Sequence, residues 1–455
     1  MTSSPSHAAV ELQDVPFSDP LTTIELGRRL ISSKVGLIRF ISYGIYLPQD
    51  TFCMALGSSN ADLSRFSEIQ NADKAGGGGE SLETAMAATI GEAVERYCML
   101  FYDKKDMVLA PYREVAADAV SPDTLRLYSR QQVKDKADHI RLDYFDEDTP
   151  IRWVAGYSLT HHRSRLVPAT QVYMQYKLDD GEGSPGRNAS TGLAAGATLE
   201  EAILTGLYEV IERDAFVICW LHAKTGKRLI IDDADLQDSM SRRFHTDHPS
   251  VDFQVFDITL DIPAFSVFGI LRRPSEFGMV NCVSSVCRLS PKAAMRKCLR
   301  EVGQGMPYLR FLREQFKDWE PASDYSDLTT FDHHYTHYSK RPELIPKALA
   351  FCDEVTDEIE LSKIPDRSTG RVLGDLQACL DMIKQAGYEV IVVDITTPDI
   401  RDLGLHVVRV MVPGLVPIHG NHNFPYLGVQ RLHDIRDIMS WQPANGFNPY
   451  PHPFP

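Results

Sequence analysis

Two pairs of glutamates, Glu92 with Glu95 and Glu209 with Glu212, stand three residues apart inside segments that repeat one another. Ser81-Leu-Glu-Thr-Ala-Met-Ala-Ala-Thr-Ile-Gly-Glu-Ala-Val-Glu-Arg96 lies in register and without a gap on Thr198-Leu-Glu-Glu-Ala-Ile-Leu-Thr-Gly-Leu-Tyr-Glu-Val-Ile-Glu-Arg213. A weaker third copy, Ser290-Pro-Lys-Ala-Ala-Met-Arg-Lys-Cys-Leu-Arg-Glu-Val-Gly-Gln304, puts Glu301 and Gln304 at the corresponding positions. Each copy opens on a hydroxyl residue suited to cap a helix and keeps the same interval from it to the first glutamate. Residues three apart share a helix face about 5 to 6 Å from each other, so each pair forms a two-carboxylate claw. Two facing claws repel unless a divalent cation lies between them, and an oxygen-rich set suits Mg²⁺ that also holds substrate phosphates. Simple i,i+4 ion pairs, Glu92 with Arg96 and Glu209 with Arg213, would use the same residues. Duplication in register, with the glutamates wedged among Ile90, Val94 and Tyr97 or Leu207, Val210 and Ile211, favours a shared metal–nucleotide site.

The elements that must position these groups are three helices, predicted over 81–100, 198–221 and 290–316 from apolar residues at helical spacing. Strands are expected within 34–47 and at 153–159, 166–176, 251–259, 264–271, 388–394 and 406–412, with a further helix at 373–386. The glycine run Gly76 to Gly79 reads as the end of a polar loop that begins at Gly57, and 179–188 reads as a loop at the rim of a site. No long linker interrupts the pattern, so one large α+β domain is expected. Its bounds are 31–430, between an N-terminal segment (1–30) and a C-terminal segment (431–455). Of 455 residues, 43% are hydrophobic and 24% charged, which excludes disorder or coiled coil for most of the length. The formal charge of −15 argues against duplex nucleic acid or an anionic membrane as partner. No apolar run is long enough to span a bilayer, and the first residues lack the basic-then-apolar pattern of a secretory signal, so a cytoplasmic location is expected. The eight cysteines fall in apolar contexts with no C-x-x-C pair, as buried hydrophobes in a reducing compartment would.

Gly91-Glu-Ala-Val-Glu-Arg-Tyr97, Thr191-Gly-Leu-Ala-Ala-Gly-Ala-Thr-Leu-Glu-Glu-Ala-Ile203 and Glu209-Val-Ile-Glu-Arg-Asp-Ala215 resemble signature segments of the YcaO family. So do Asp257-Ile-Thr with Ile262-Pro263, the Ala294–Gln304 helix, Asp332-His-His-Tyr-Thr-His-Tyr338 and Val408-Arg-Val-Met-Val-Pro-Gly-Leu415. The resemblance implies a single YcaO-type ATP-binding domain of repeated helix-on-sheet units. It implies ATP and Mg²⁺ as cofactors, with Glu92, Glu95, Glu209 and Glu212 as the metal carboxylates. Glu301, Gln304, Glu201, Arg213 and Arg96 are the implied nucleotide contacts. Glu201 serves equally well as a capping-box partner of Thr198, and the two arginines as salt-bridge partners of their own glutamates. Three departures stand out: no Lys lies within Gly76–Gly79 (Lys74 precedes it), Ala88 replaces a usual Ser, and Ala197 a usual Asn.

The chain ends Pro451-His-Pro-Phe-Pro455. Azoline-forming members end in such a P-x-P-x-P tail, and the resemblance assigns Pro451, Pro453 and Pro455 to the catalytic apparatus. Alternating proline stiffens an extended segment, so the terminal carboxylate can be held in place with little entropy lost. Because the tail is distant in sequence from the carboxylate helices, its removal is expected to leave ATP affinity nearly unchanged. The implied reaction is ATP-dependent cyclodehydration. A Cys thiol (or Ser/Thr hydroxyl) of a precursor peptide attacks the preceding backbone carbonyl, the alkoxide takes the γ-phosphoryl of ATP, and loss of phosphate leaves a thiazoline or oxazoline. A leader-bearing precursor peptide, a separate leader-binding partner of ThiF-like type, a flavin dehydrogenase acting downstream and a homodimer are expected. The rivals are thioamide formation with a TfuA-type partner and a non-catalytic nucleotide-binding subunit. His333 and His334 are expected in packing or loop roles, and His419 and His422 in a polar loop between strand and tail suited to line the peptide site.

Overall fold

A computed structural model describes residues 10–454 apart from 45, 48–49, 52, 65–73, 137–145, 175, 187–188 and 443–445. Three sheets organise these residues. The first joins β1 (Ile38–Tyr43), β2 (Met54–Asn60) and β3 (Lys74–Gly79) in that order, all antiparallel. The second runs β4 (Val108–Pro111), β5 (Pro150–Ser158), β13 (Ile391–Asp394), β14 (His406–Met411), β7 (Leu193–Gly196), with β6 (Arg163–Pro168) paired to β5. The third runs β11 (Gly278–Cys287), β10 (Ser266–Ser275), β9 (Asp252–Asp257), β8 (Arg228–Ile230), β12 (Glu358–Glu360).

Seven longer helices matter for the site: α1 (Pro20–Gly27), α2 (Leu82–Cys98), α3 (Leu199–His222), α4 (Pro291–Gln315), α5 (Phe331–Lys340), α6 (Val372–Gln385) and α7 (Gln430–Ile438). The three predicted glutamate helices are α2, α3 and α4. Each follows a strand on which it packs, and each also reaches the strand of another unit: α2 touches β3 and β7, α3 touches β7 and β11, and α4 touches β11 and β3. The three strand–helix units therefore close in a ring. α3 is buried through most of its length, from Ala202 to Leu221, because sheets lie on more than one of its sides.

The glycine run departs from its expected loop form. Lys74–Gly79 is a strand paired residue by residue with β2, from Met54↔Gly79 to Ser59↔Lys74. A loop signal arises because glycine is a turn residue; here it serves close approach instead. A Cβ at Gly77 would lie 2.3 Å from the Thr89 backbone nitrogen, so α2 could not pack on β3 with any side chain there. The 166–176 segment is strand only as far as Pro168 and then turns into a short helix, Ala169–Val172. β11 escapes the sequence reading altogether, since Asn281, Ser284 and Ser285 break its apolar run.

The flanking segments pack on the same body. Val10, Leu12 and Val15 lie against the cluster around Ile203, Leu207 and Val392, and Gly27 of α1 abuts Ile90 of α2. In α7, Arg431 is 1% exposed and bonds Asp214 of α3 and Asp261. No helix among the described residues is long and apolar enough to cross a membrane. All eight cysteines are buried and free.

Candidate functional site

Each strand–helix unit ties its first glutamate back to its strand or, in the second unit, to the residue just before it. Gly76 N–H donates to Glu92 Oε2 at 3.1 Å, Gly192 N–H to Glu209 Oε2 at 3.1 Å, and Ser284 Oγ–H to Glu301 Oε2 at 2.6 Å. The donors precede their glutamates by 16, 17 and 17 residues, so the sequence repeat is a repeat of structure. The caps are less uniform. Ser81 forms a capping box with Thr84, and Thr198 accepts from Glu201 N, but Ser290 makes no side-chain cap and its hydroxyl donates to Asp366.

The carboxylates come together from three helices. Glu95 lies within electrostatic reach of Glu92 and Glu209, and Glu212 within reach of Glu209 and Glu301. Burial pushes the Glu95 carboxyl up to about 8, Arg96 opposing this while Glu209 and Glu92 add to it. Burial likewise raises Glu212 against the pull of Lys297 and Arg213. Glu301 is held low in spite of burial, because Lys297 and the Ser284 hydroxyl favour its charged form.

Four cations sit among these five carboxylates. Arg96 pairs with Glu92 at 3.3 Å; Arg213 Nε lies 3.6 Å from Glu209 and 3.8 Å from Glu212. Lys297 spans Glu301 at 2.8 Å and Glu212 at 3.7 Å. Arg409, on β14, is 1% exposed, and its Nε and Nη1 are buried without a hydrogen-bond partner. Burial brings it down to about 10, while Glu209 and Glu95 pull it up. Sequence reasoning missed both Lys297 and Arg409. Lys297 reads as an ordinary i,i+4 partner of Glu301, and Arg409 as one polar residue in an apolar strand, where that isolation was the signal to follow.

A carboxylate set with one more acid than base has the chemistry that Mg²⁺ requires, and the buried, unpartnered nitrogens of Arg409 and Arg213 Nε are donors suited to phosphate oxygens. The acids stand in pairs separated by these cations, and among the described residues no three ligand side chains gather at one point.

The remaining candidates divide. Gln304 lies on the glycine strand: a Cβ at Gly78 would fall 1.1 Å from its Nε2. Glu201 is turned to the N-terminal segment, accepting from Ser18 N at 2.5 Å and Ser18 Oγ at 2.8 Å. Lys74, the cation nearest in sequence to the glycine run, lies over the Phe311 ring at 4.7 Å.

The tail is buried and firmly held. Asn448 N–H donates to Leu221 O at 2.7 Å, Trp220 Nε1–H to Tyr450 O at 3.1 Å and Tyr338 O–H to Pro451 O at 2.5 Å. The His452 ring stacks on His334 at 4.0 Å, and each of these histidines bonds a carbonyl, His334 Nδ1 to His452 O and His452 Nε2 to His419 O. Phe454 packs on Phe216 at 4.3 Å and beneath Arg213, whose guanidinium carbon is 5.2 Å from the ring centre. Phe454 thus lies beside the side chain that reaches toward both Glu209 and Glu212. Pro451 and Pro453 belong to this packed segment; Pro455 lies outside the described residues.

A family model described as YcaO cyclodehydratase, ATP- and Mg²⁺-binding, matches residues 76–416. An uncharacterised protein of Methanothermobacter thermautotrophicus is 28% identical over 352 residues, 74% of this chain and 80% of its own length. An uncharacterised protein from the tfuA 3′ region of Rhizobium leguminosarum bv. trifolii is 38% identical over 95 residues, 20% of this chain and 21% of its own. Among solved structures, a heterocyclase in complex with substrate and cofactor superposes with a TM-score of 0.77 at 23% identity, over 98% of this chain and 59% of that one. YcaO from Methanopyrus kandleri bound with AMPPCP and Mg²⁺ superposes with a TM-score of 0.59 at 19% identity, over 88% and 92%. The E. coli microcin synthetase McbBCD complex with pro-MccB17 bound gives 0.59 at 16%, over 98% and 100%. The chain spans little more than half of the first heterocyclase.

Proposed function

The chain belongs to the YcaO family, and on that premise we propose that it is an ATP-dependent cyclodehydratase that converts Cys, or Ser/Thr, of a precursor peptide to an azoline. The observation that carries this reading is the buried proline tail, delivered by His334, Tyr338 and Trp220 to Arg213 between Glu209 and Glu212. A segment held so firmly fits a role in placing the residues around Phe454 where a peptide must be positioned. The heterocyclases among its structural neighbours support the same reading.

In this reading Glu92, Glu95, Glu209 and Glu212 hold Mg²⁺, with Glu301 and Gln304 completing the nucleotide side. Bound Mg²⁺ would neutralise the triphosphate and the charge that moves in phosphoryl transfer. Arg213, Arg96 and Arg409 supply positive charge to phosphate oxygens in a partly dehydrated setting. Glu201 stays with Ser18 as a structural contact. The substrate is a leader-bearing peptide, presented by a separate leader-binding protein of ThiF-like type, to a homodimer in the cytoplasm; a flavin dehydrogenase would act on the azoline afterwards. The test is the product mass from peptide, partner, Mg²⁺ and ATP: loss of one water per ring is expected, and an unchanged mass with ATP turnover absent refutes it.

Thioamide formation is the second reading, favoured by the relative from the tfuA 3′ region. Replacement of oxygen by sulfur in the product mass, dependent on a TfuA-type partner and a sulfide source, would establish it in place of the first.

A further inference from the structure

The proline tail and the nucleotide helices are far apart in sequence, yet Phe454 and Arg213 are in contact. Phe454 is 5% exposed, wedged against Phe216 and Phe268, with its ring face toward the Arg213 guanidinium at 5.2 Å. Arg213 Nε lies 3.6 and 3.8 Å from Glu209 and Glu212 and has no hydrogen-bond partner. Both ion-pair distances are too long for a close bond, so the carboxylates alone do not fix this side chain. The aromatic face, rich in negative charge, supplies what fixes it. Behind Phe454 the tail is anchored at Pro451 by Tyr338, and at His452 by His334 and His419.

We propose that Phe454 is a positioning residue for Arg213, so that tail docking and nucleotide binding are reciprocally coupled. This inference rests on reading the Arg213 region as the nucleotide site. Phosphate oxygens engage an arginine already held in place, and an arginine so engaged in turn fixes the ring above which it lies. By linkage each event favours the other by the same factor. It replaces the expectation that the tail leaves ATP affinity untouched, which rested on distance along the chain.

The test is calorimetric titration of the full chain with AMPPCP in the presence of Mg²⁺, on the parent, Phe454→Leu and Phe454→Tyr. Loss of the ring in Phe454→Leu should weaken binding about five-fold, the size of a partly dehydrated cation–π contact, while Phe454→Tyr, which keeps the ring, should bind like the parent. In the parent, the nucleotide should slow hydrogen exchange at the amides of Tyr450, His452 and Phe454, the three that alternate with proline. Equal affinity of parent and Phe454→Leu would overturn the coupling, as would equal loss in both variants. A parent that binds no AMPPCP would overturn the nucleotide reading itself, and the coupling with it.

Discussion

Glu92 and Glu209 occupy equivalent positions in two repeats, each accepting one backbone N–H from its strand or the residue just before it and facing one arginine. Replacing either by Gln keeps the volume and removes the charge. Glu92→Gln and Glu209→Gln should each lower Mg²⁺-dependent ATP hydrolysis by about 10²-fold or more, the size expected when one stabilising group is lost from a charge-transfer site. Steady-state phosphate release, with the far-ultraviolet circular dichroism unchanged, checks this. Arg409 differs in kind, being buried with two nitrogens unpartnered beside Glu209 and Glu95. Arg409→Gln removes a buried charge that Glu209 and Glu95 stabilise and its hydrogen bond to the Ala189 carbonyl, and should cost about 1 to 3 kcal/mol of stability in urea unfolding.

The elements carry two further consequences. In β3, Gly77 faces the α2 backbone, where an added Cβ would come within 2.3 Å of the Thr89 nitrogen, whereas Gly78 faces the Gln304 side chain, with Nε2 at 1.1 Å and Cγ at 2.6 Å from an added Cβ. Gly77→Ala must push a helix off its sheet and should destabilise the protein by about 1 to 3 kcal/mol. Gly78→Ala need only displace that side chain, and should weaken AMPPCP binding with little change in the unfolding midpoint. The tail and its histidines set a pH dependence. Burial holds His334 and His452 well below their usual value and takes His419 to about 3, with the neighbouring histidines and, at His452, Arg213 adding to the fall. The unfolded chain therefore binds more protons than the folded one between the usual value of about 6.5 and these depressed values. Their contribution to stability should be full above about pH 6.5 and fall below it, by about 1.4 kcal/mol per pH unit for each such histidine, while Glu95, whose carboxyl burial pushes up to about 8, slopes the opposite way between the ordinary carboxylate value and that one. The loss of urea midpoint between about pH 7 and about pH 5, on either side of the ordinary histidine value, should be larger in the parent than in a His419→Gln variant, and that difference separates the histidine contribution from the carboxylate one.

At the scale of the molecule, three strand–helix units close a ring and place their acids around a common region, and the C-terminal part is locked to it. Arg431 of α7 joins Asp214 of α3 at 2.9 Å and Asp261, both through charged hydrogen bonds, with the Tyr388 hydroxyl also accepting. Arg431→Ala would strand Asp214, whose carboxyl burial already pushes upward. About 3 to 5 kcal/mol of stability should be lost in urea unfolding, and the amides of the tail, tied through the same α3, should exchange faster with solvent.

The sequence by itself determined the three helices, the in-register glutamates and the stiff proline tail, because helical periodicity, capping chemistry and proline's fixed φ are local properties. It also placed the chain in its family, through segments such as Gly91–Tyr97 and Glu209–Ala215 that resemble that family's signature. Only the tertiary structure decided that the glycine run is a strand, since the need for glycine at Gly77 comes from a helix that packs on it from later in the chain. It decided that Lys297 and Arg409 stand among the acids, a matter of which strand and helix faces meet. And it decided that Phe454 lies on Arg213, a contact between residues 241 positions apart that no local pattern encodes, because closing so long a loop is driven by burial of the tail and not by any neighbour in sequence.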